Sequence, residues 1–175
     1  QIPRLGNSLN QWFGPYTNGG YFFDVPTESF VAAFEKTSGG VVDPRLDYTV
    51  GREGQPWFDD IAFDITWSPT GYLQKKNIQA LSEISKNNIS DGNLNYHAIR
   101  YADVLLWQAE ALNELGRPNE ALVFLNQVRK RARESYLYDK NLSGFGTIPT
   151  GLLPDVTLTN QELLRAKIHN ERRVE

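Results

Sequence analysis

The 175-residue chain contains no cysteine and has a formal net charge of only −3. Without cysteine it can form neither a disulfide nor a thiolate metal site, and it has no cysteine nucleophile. Nucleic acid is not expected as a partner, because a polyphosphate is held by a broad positive field that this composition lacks. The sequence thus excludes cysteine chemistry and disfavours nucleic-acid binding.

Long apolar runs are also missing. No stretch reaches the roughly 18 apolar residues that a membrane-spanning helix needs. The first ten residues, QIPRLGNSLN, lack the charged start and apolar run of a signal peptide. Because the chain stops inside what looks like an unfinished helix, we expect it to be an internal section of a longer protein. Any signal or lipid anchor would then lie outside it.

The loop-rich portion of the chain, residues 1–94, holds most of the glycine and proline. Such residues predict turns, and they leave one helix there, in PTESFVAAFEKTSGG. Thr27 is placed to cap this helix, Phe34 belongs to its apolar face, and Gly39 lies beyond its end. Short alternating stretches, DYTV and DIAFDITW, predict one or two short strands.

The helical portion, residues 95–175, begins with a strongly periodic helix over residues 96–116 that ends at Gly116. Pro118 suits the first turn of the next helix, and so short a connection predicts antiparallel packing. The apolar positions that share a face are Ala98, Ala102, Leu105, Ala109 and Leu112 in the first helix, and Ala121, Leu125, Val128 and Ala132 in the second.

The last predicted helix begins in LTNQELL. Thr159 and Glu162 are placed to form a capping box, and Leu158 and Leu163 stand at the positions of a hydrophobic staple. A long connection without regular structure, residues 135–157, precedes this helix. Connections of that length usually lie at the surface or serve a function. We expect one domain over the whole of residues 1–175.

The helix pair AEALNELGRPNEALVFLNQVR resembles a tetratricopeptide hairpin, in which small residues stand where two helices cross. One such unit cannot bury a continuous core by itself, so the chain is not a free-standing solenoid. A scaffold that binds a peptide in a concave helical groove is therefore one interpretation. It predicts further helical repeats upstream and no affinity for sugar.

A longer stretch of sequence is more specific. IRYADVLLWQAEALNELGRPNEALVFLNQVRKRA, followed by a long loop and by LLRAKIHNERRVE in a capped helix, closely resembles the C-terminal part of the SusD/RagB family. Upstream, VPTESFVAAFEK and VVDPRLDYTV also look like that family's pattern. The resemblance covers roughly residues 21–175. It implies a mainly α, SusD-like fold, with a tetratricopeptide-like antiparallel helix hairpin, further helices, a large irregular portion and few short strands.

The resemblance also implies a function. Members of the family are described as cell-surface, outer-membrane lipoproteins of Bacteroidetes-type bacteria that bind glycans or other nutrients. They deliver these to a SusC-like TonB-dependent transporter. The implied ligand is an oligosaccharide or a starch-like polysaccharide, with no cofactor and with a lipid anchor outside this chain. The N-terminal tetratricopeptide-rich part of such proteins and the segment that follows ERRVE are missing, so we expect part of the binding surface to lie outside the chain.

The candidate binding residues are rings and amides in the loop-rich portion. A glycan offers hydroxyls and an apolar sugar face, so a binder needs exposed rings for stacking and planar side chains for hydrogen bonds. QWFGPYTNGGYFF supplies both, and a further ring stands on the turn WSPTGY. The predicted ligand-binding residues are Trp12, Tyr16, Asn18, Tyr21 and Trp67.

Other residues of the QWFGPYTNGGYFF stretch have supporting roles in this interpretation. Asn10 and Gln11 are further polar partners, and Gly19-Gly20 would let a sugar approach the backbone. Three phenylalanines are expected to face inward, namely Phe13, Phe22 and Phe23. The alternative is that all these rings fill a loop-rich core, which is the commoner fate of a single aromatic residue.

Other aromatic and charged residues have interpretations of their own. Trp57, beside Asp59 and Asp60, is the next binding candidate, and calcium on these two carboxylates stays open. Trp107 is interpreted as core packing. The basic run, Arg129, Lys130, Arg131 and Arg133, is interpreted as structural, since cations complement the end of a helix and Asp103, Glu110 and Glu114 can pair with them. The same interpretation applies to Arg172 and Arg173 near Glu171 and Glu175.

No catalytic or metal site is expected. Glycosidase chemistry needs two carboxylates about 5–10 Å apart across a cleft, and no motif sets such a spacing for Asp59, Asp60 or Asp64. His97 and His169 are far apart in sequence and have no partner histidine at ligand spacing. A glycoside hydrolase accessory domain is kept as a further alternative, which a reducing-sugar assay would detect by product release.

Overall fold

The computed structural model describes residues 7–84, 90 and 92–175 of the chain. Helices dominate the described residues, as the sequence predicts. The α-helices are, in chain order, α1 (Leu9–Phe13), α2 (Glu28–Val31), α3 (Arg45–Thr49), α4 (Tyr101–Glu114), α5 (Pro118–Arg133), α6 (Ser135–Tyr138) and α7 (Gln161–Val174).

Short 3-10 turns and two strands account for the remaining regular structure of the described residues. Strands β1 (Val50–Gly51) and β2 (Leu73–Gln74) pair antiparallel, with Val50 opposite Gln74. The 3-10 turns are Tyr16–Asn18, Phe58–Asp60, Ile65–Trp67 and Leu81–Glu83. Few short strands were expected, and this is confirmed. Of the two stretches predicted as strands, DYTV lies mostly in α3 with only Val50 in β1, and DIAFDITW contains a 3-10 turn.

The chain divides into two compact units. The first, here called the loop-rich unit, comprises Gln1–Val31 and Asp47–His97. The second, the helical unit, comprises Ala32–Leu46 and Ala98–Glu175. The strands and the 3-10 turns belong to the loop-rich unit, and the long helices belong to the helical unit.

The core of the helical unit lies between α4, α5 and α7. Its buried residues are Ala102, Leu105, Leu106, Ala109 and Leu112 of α4, Ala121, Leu125 and Val128 of α5, Val156, and Leu164 and Ile168 of α7. Burying such apolar faces stabilises the unit by about 25 cal/mol for each Å² removed from water. The predicted faces of α4 and α5 are therefore largely confirmed.

Two details of α4 differ from expectation. The helix begins at Tyr101 rather than at residue 96, so Ala98 is exposed and does not extend the buried face. Trp107 was expected to pack in the core, but it is 41% exposed. Its ring lies 5.9 Å from the guanidinium carbon of Arg172 of α7, at cation–π distance.

The turn between α4 and α5 forms as its residues predict. Gly116 is left-handed, with φ 72°, and its N–H donates to the carbonyl of Asn113 at 3.0 Å. Pro118 is the first residue of α5, and Arg117 makes no capping bond through its side chain. Because only three residues connect the two helices, α4 and α5 run antiparallel.

The predicted cap of α7 is wrong by one residue. The side-chain oxygen of Asn160, not that of Thr159, accepts a hydrogen bond from the N–H of Leu163 at 3.0 Å. With Asn160 at the N-cap, the staple positions move from Leu158 and Leu163 to Thr159 and Leu164. The amide of Asn160 thus replaces the predicted box between Thr159 and Glu162.

Helix α2 is much shorter than predicted. Its cap is confirmed, since Thr27 Oγ1 accepts from the N–H of Phe30 at 3.3 Å, but the helix ends at Val31. Beyond it, the backbone carbonyl of Glu35 accepts from the N–H of Asp43 at 2.9 Å, and Lys36 forms an isolated antiparallel β-bridge with Val42. These pairings take up backbone groups that a longer helix would need.

The basic run of α5 has the predicted structural role, but its partners differ from the predicted ones. Arg129 is buried and contacts Glu35 and Glu171, both at 2.8 Å. Arg131 pairs with Glu175 at 2.5 Å, and Arg133 with Asp155 at 2.8 Å.

The carboxylates of α4 pair with α7 instead. Glu114 binds Arg165 at 2.6 Å, and Glu110 binds His169 at 2.8 Å. Arg172 pairs with both Asp103 and Glu110. These charged residues of α4, α5 and α7 therefore pair within the helical unit. Within the described residues, no helix is both long and apolar enough to cross a bilayer.

Candidate functional site

Residues 11–23 fold back on themselves in the loop-rich unit. The N–H of Tyr21 donates to the carbonyl of Gln11 at 2.7 Å, and that of Phe23 to Trp12 at 2.8 Å. A Cβ on Gly20 would lie 2.2 Å from the carbonyl oxygen of Gly14, so only glycine allows this close return. Gly20 therefore serves the fold of the segment, and the expected approach of a sugar to the Gly19-Gly20 backbone stays a prediction.

Four rings of this segment are exposed, and together they are here called the exposed-ring surface: Trp12, Tyr16, Tyr21 and Phe23. Phe23 was expected to face inward, but it is 55% exposed, and its ring lies 5.8 Å from that of Tyr21. Phe13 and Phe22 are partly buried against the core of the loop-rich unit, as expected.

A cavity of about 260 Å³, here called the ring pocket, lies beside this segment in the same unit. Rings, amides, one carboxylate, aliphatic side chains and two glycines line it. They are Trp57, Phe58, Trp67, Asn10, Asn18, Gln79, Asp59, Pro15, Ile61, Ile78, Leu81, Ile84, Gly14 and Gly20. This mixture of an apolar wall and a few polar groups is typical of small-molecule sites.

Edge-to-face contacts hold the wall of rings in place. The ring centroids of Trp57 and Trp67 are 6.0 Å apart at 69°, and those of Trp57 and Phe58 are 5.0 Å apart at 74°. Phe63 supports Trp67 from the core at 5.3 Å and 72°. Aromatic pairs are favoured in this geometry, so the wall is ordered without a bound ligand.

Backbone features set the position of each tryptophan. A Cβ on Gly51 would lie 2.3 Å from the ring of Trp57, so this glycine of β1 makes room for the indole. Asp64 caps the 3-10 turn that carries Trp67, because its Oδ1 accepts from the N–H of Thr66 at 2.8 Å and from Thr66 Oγ1 at 2.7 Å. These hydrogen bonds lower the pKa of the Asp64 carboxyl.

Asn10 supplies a hydrogen-bonding group at the ring pocket. The residue is only 7% exposed, and its Oδ1 accepts from the N–H of Gln79 at 2.7 Å. Its Nδ2 has no hydrogen-bond partner in the described part of the chain. A buried amide nitrogen without a partner costs stability, so the Nδ2 of Asn10 is an unused donor on a residue that lines the pocket.

The other polar residues of the ring pocket differ in availability. The Oε1 of Gln79 already accepts from the N–H groups of Asn93 and Leu94, at 2.9 and 3.1 Å, and its Nε2 donates to Asn93. Asn18 is exposed at the end of a 3-10 turn. The amide of Asn18 is thus accessible to a ligand, whereas that of Gln79 is used within the fold.

Asp59 is the one charged residue among the described residues that line the ring pocket. Its carboxylate accepts from the N–H of Ser82 at 3.2 Å and also from the Ser82 hydroxyl. Asp59 and Asp60 are both left-handed, with φ 57° and 56°, which non-glycine residues rarely adopt. In the described ranges, no group of three or more histidine and carboxylate side chains is placed to hold a metal ion.

The structure separates the predicted ligand-binding residues into two groups. Asn18 and Trp67 line the ring pocket together with Trp57, the next candidate from the sequence. Trp12, Tyr16 and Tyr21 lie on the exposed-ring surface and are not among the residues that line the pocket. Their part in binding stays a prediction. Phe58 was missed, although its place between a tryptophan and two aspartates was a usable signal.

A model of the SusD family matches residues 3–175 of the chain. The chain belongs to the SusD family. The resemblance found in the helix hairpin and the last helix is thereby confirmed, and it extends over the loop-rich unit that holds the ring pocket.

Two SusD-like proteins of Formosa agariphila are similar in sequence. SusD-like protein P38 is 40% identical over 98 residues, which cover 54% of this chain and 17% of that protein. SusD-like protein P2 is 37% identical over 95 residues, which cover 53% of this chain and 16% of that protein. The matched segment is thus about a sixth of the length of these relatives.

Solved SusD structures share the fold. One, described as a SusD-like carbohydrate binding protein from Bacteroides fragilis, superposes with a TM-score of 0.71 at 23% identity, over 97% of this chain and 36% of that one. A SusD superfamily protein from Bacteroides vulgatus gives 0.69 at 23% identity, over 94% and 33%. The chain therefore corresponds to about a third of a SusD fold.

Proposed function

We propose that this SusD chain is part of a glycan-binding protein and that the ring pocket holds a sugar. The observation that carries the proposal is the arrangement of Trp57, Phe58 and Trp67 as one wall, with the unpartnered amide nitrogen of Asn10 among the same lining residues. A sugar ring presents an apolar face to such a wall and hydroxyl oxygens to such a donor.

The charge of the ring pocket favours a neutral glycan. Asp59 lines it, and no lysine, arginine or histidine does so among the described residues. A uronate or sulfate placed there would meet a carboxylate in a partly apolar setting, without a cation to balance it. Neutral hexose polymers, including starch-like ones, fit the lining better than acidic polysaccharides.

The size of the ring pocket favours a short length of glycan. A volume of about 260 Å³ lies near the lower end of the ~300–1,000 Å³ that ligand pockets usually have. We therefore assign one or two sugar residues to the pocket. The rest of an oligosaccharide would extend over neighbouring surface, and Trp12, Tyr16 and Tyr21 of the exposed-ring surface are the proposed stacking partners there.

Family membership supports the cellular role. We propose that the whole protein is a non-catalytic, lipid-anchored, cell-surface component of the outer membrane. It would deliver oligosaccharide to a SusC-like TonB-dependent transporter. Co-purification of the tagged protein with such a transporter from outer-membrane extracts would support this partnership, and its isolation alone from a gentle extract would count against it.

Affinity electrophoresis tests the binding role. The full protein is run through native gels that contain neutral polysaccharides, starch among them, and through a polygalacturonate gel as the acidic control. Asn18→Ala is the informative variant, because this exposed side chain makes no hydrogen bond within the described chain and its loss leaves the fold intact. Asn119→Ala, at an exposed position of α5, is the matched control.

The expected result is retardation by at least one neutral polysaccharide, weakened in Asn18→Ala and unchanged in Asn119→Ala. Equal migration of all three proteins in every gel would overturn the proposal. Retardation by polygalacturonate alone would overturn the assignment of a neutral glycan to the ring pocket.

A further inference from the structure

The loop-rich unit contains a second cavity, of about 370 Å³, whose lining residues are all different from those of the ring pocket. The residues that matter for its chemistry are Thr49, Gln74, Phe30, Pro26, Asp24 and Lys76. We call it the polar cavity.

Two of these residues carry buried polar atoms without partners. Thr49 is 7% exposed, and its Oγ1 has no hydrogen-bond partner among the residues that the structure describes. The same holds for the buried Nε2 of Gln74. Two such atoms at one cavity are unusual, because buried side-chain donors and acceptors are nearly always paired.

The backbone holds both residues in place. Thr49 ends α3, and its carbonyl accepts from the N–H of Lys75 at 2.8 Å. Gln74 lies in β2 opposite Val50 of β1. The main chain of Gln74 is thus paired within the two-stranded sheet and that of Thr49 beside it, while the two side chains keep unused hydrogen-bonding capacity.

The unpaired groups define the chemistry of a ligand. The hydroxyl of Thr49 both donates and accepts, and the amide nitrogen of Gln74 donates. A hydroxyl-bearing ligand satisfies both groups, and neither of them carries a charge for an ion to balance. Phe30 and Pro26 supply apolar surface of the kind that the C–H face of a sugar contacts.

The charged lining residues do not change this assignment. Asp24 is exposed, and Lys76 already takes part in another interaction. One acid and one base also leave the lining without net charge. We propose that the polar cavity is a second binding site, separate from the ring pocket, for a single neutral sugar ring or a similarly small polyol. This inference stands without the proposed role of the ring pocket.

The test is a calorimetric titration of the full protein with glucose, galactose and mannose, and with glycine as a zwitterionic probe. All titrations are done in the Trp67→Ala background, which removes one of the three rings in the wall of the ring pocket. Thr49→Val replaces the hydroxyl by a methyl group of the same shape, and Gln74→Leu is the second variant. Thr157→Val, at an exposed position of the helical unit, is the matched control.

The expected result is binding of at least one of the sugars in the Trp67→Ala protein. Its Kd should rise about tenfold or more in Thr49→Val and in Gln74→Leu, since each removes a hydrogen bond to the ligand, and stay unchanged in Thr157→Val. Three results would overturn the proposal: no sugar binding in the Trp67→Ala background, binding of glycine instead of sugar, or sugar binding that neither Thr49→Val nor Gln74→Leu weakens. Because the polysaccharide gels probe Asn18, failure at one site is distinguishable from failure at the other.

Discussion

The side-chain oxygen of Asn10 accepts a hydrogen bond from the backbone N–H of Gln79 at 2.7 Å, and both residues line the ring pocket. The bond joins parts of the chain that lie 69 positions apart. Because the hydrogen bond uses the amide oxygen Oδ1 of Asn10, the amide nitrogen Nδ2 is the atom that has no partner in the described chain. One side chain thereby joins two parts of the pocket lining and keeps an unused donor.

Substitution of Asn10 by leucine should destabilise the protein. The change leaves the N–H of Gln79 without its acceptor, which costs about 1–3 kcal/mol in the free energy of unfolding. Urea unfolding followed by tryptophan fluorescence measures this loss. Asn18→Ala serves as the control and should unfold at the wild-type urea concentration. Equal stability of Asn10→Leu and the wild type would contradict the assigned hydrogen bond.

Gly51→Ala tests the position of Trp57. The added methyl group would lie 2.3 Å from the indole, so the ring or the strand must shift. We expect a loss of about 1–3 kcal/mol, as for overpacked cores, together with weaker glycan binding. Gly39→Ala is the matched control, since its Cβ would have its nearest neighbour at 3.8 Å. A Gly51→Ala protein as stable as Gly39→Ala would show that Trp57 does not contact β1.

Arg129→Met tests the buried ion pairs of the helical unit. The change removes one of the two buried cations that contact Glu171, since Arg129 lies at 2.8 Å and Arg45 at 2.6 Å from its carboxylate. Losing a buried hydrogen bond to a charged group costs about 1.5–3 kcal/mol, which thermal and urea unfolding would both detect. Arg117→Met removes an exposed pair with Glu120 and should leave the unfolding midpoint unchanged. Similar midpoints for the two variants would refute the buried role of Arg129.

The free energy of unfolding should fall in acid because the carboxylate of Glu35 becomes protonated. Burial by itself would raise the pKa of this carboxyl, but hydrogen bonds from Arg129 and Lys167 lower it from 4.5 to about 2. Since the folded pKa lies below the unfolded one, the stabilisation is complete above pH 4.5 and is lost as the pH falls towards 2. Unfolding free energies measured over this range should depend less steeply on pH in Glu35→Gln than in the wild type. The exposed Glu53→Gln is the control, and a slope unchanged by Glu35→Gln would contradict the assignment.

The long helices could be predicted because their signals are local. The spacing of Ala102, Leu105, Ala109 and Leu112 defines one face of α4, and Gly116 with Pro118 defines the turn that follows it. Helix α2 was predicted too long because the contacts that end it are not local. The chain beyond Val31 follows pairings of Glu35 and Lys36 with Asp43 and Val42, and nothing within the PTESFVAAFEK stretch indicates these partners.

The residues of the ring pocket likewise divide into those with a local sequence signal and those whose role depends on distant positions. Asn18 could be proposed because an amide on a turn tends to be exposed, whereas Trp67, proposed on the same ground, is partly buried against Trp57 and Phe63. The importance of Asn10 depends on Gln79, which is far away in sequence, and the position of Trp57 depends on the absence of a side chain at Gly51. The polar cavity had no sequence signal, since Thr49 and Gln74 are ordinary residues until β1 and β2 pair.

Calorimetric titration of the full protein with the neutral oligosaccharide that matches its strongest gel retardation tests the central claim most directly. Trp67→Ala removes a stacking ring of the ring pocket, and Trp107→Ala removes a half-exposed tryptophan of the helical unit. The account predicts a Kd at least about tenfold higher in Trp67→Ala, the loss expected when an aromatic anchor is removed, and a wild-type Kd in Trp107→Ala. Equal affinity of the wild type and Trp67→Ala would contradict the assignment of the ring pocket as the glycan site.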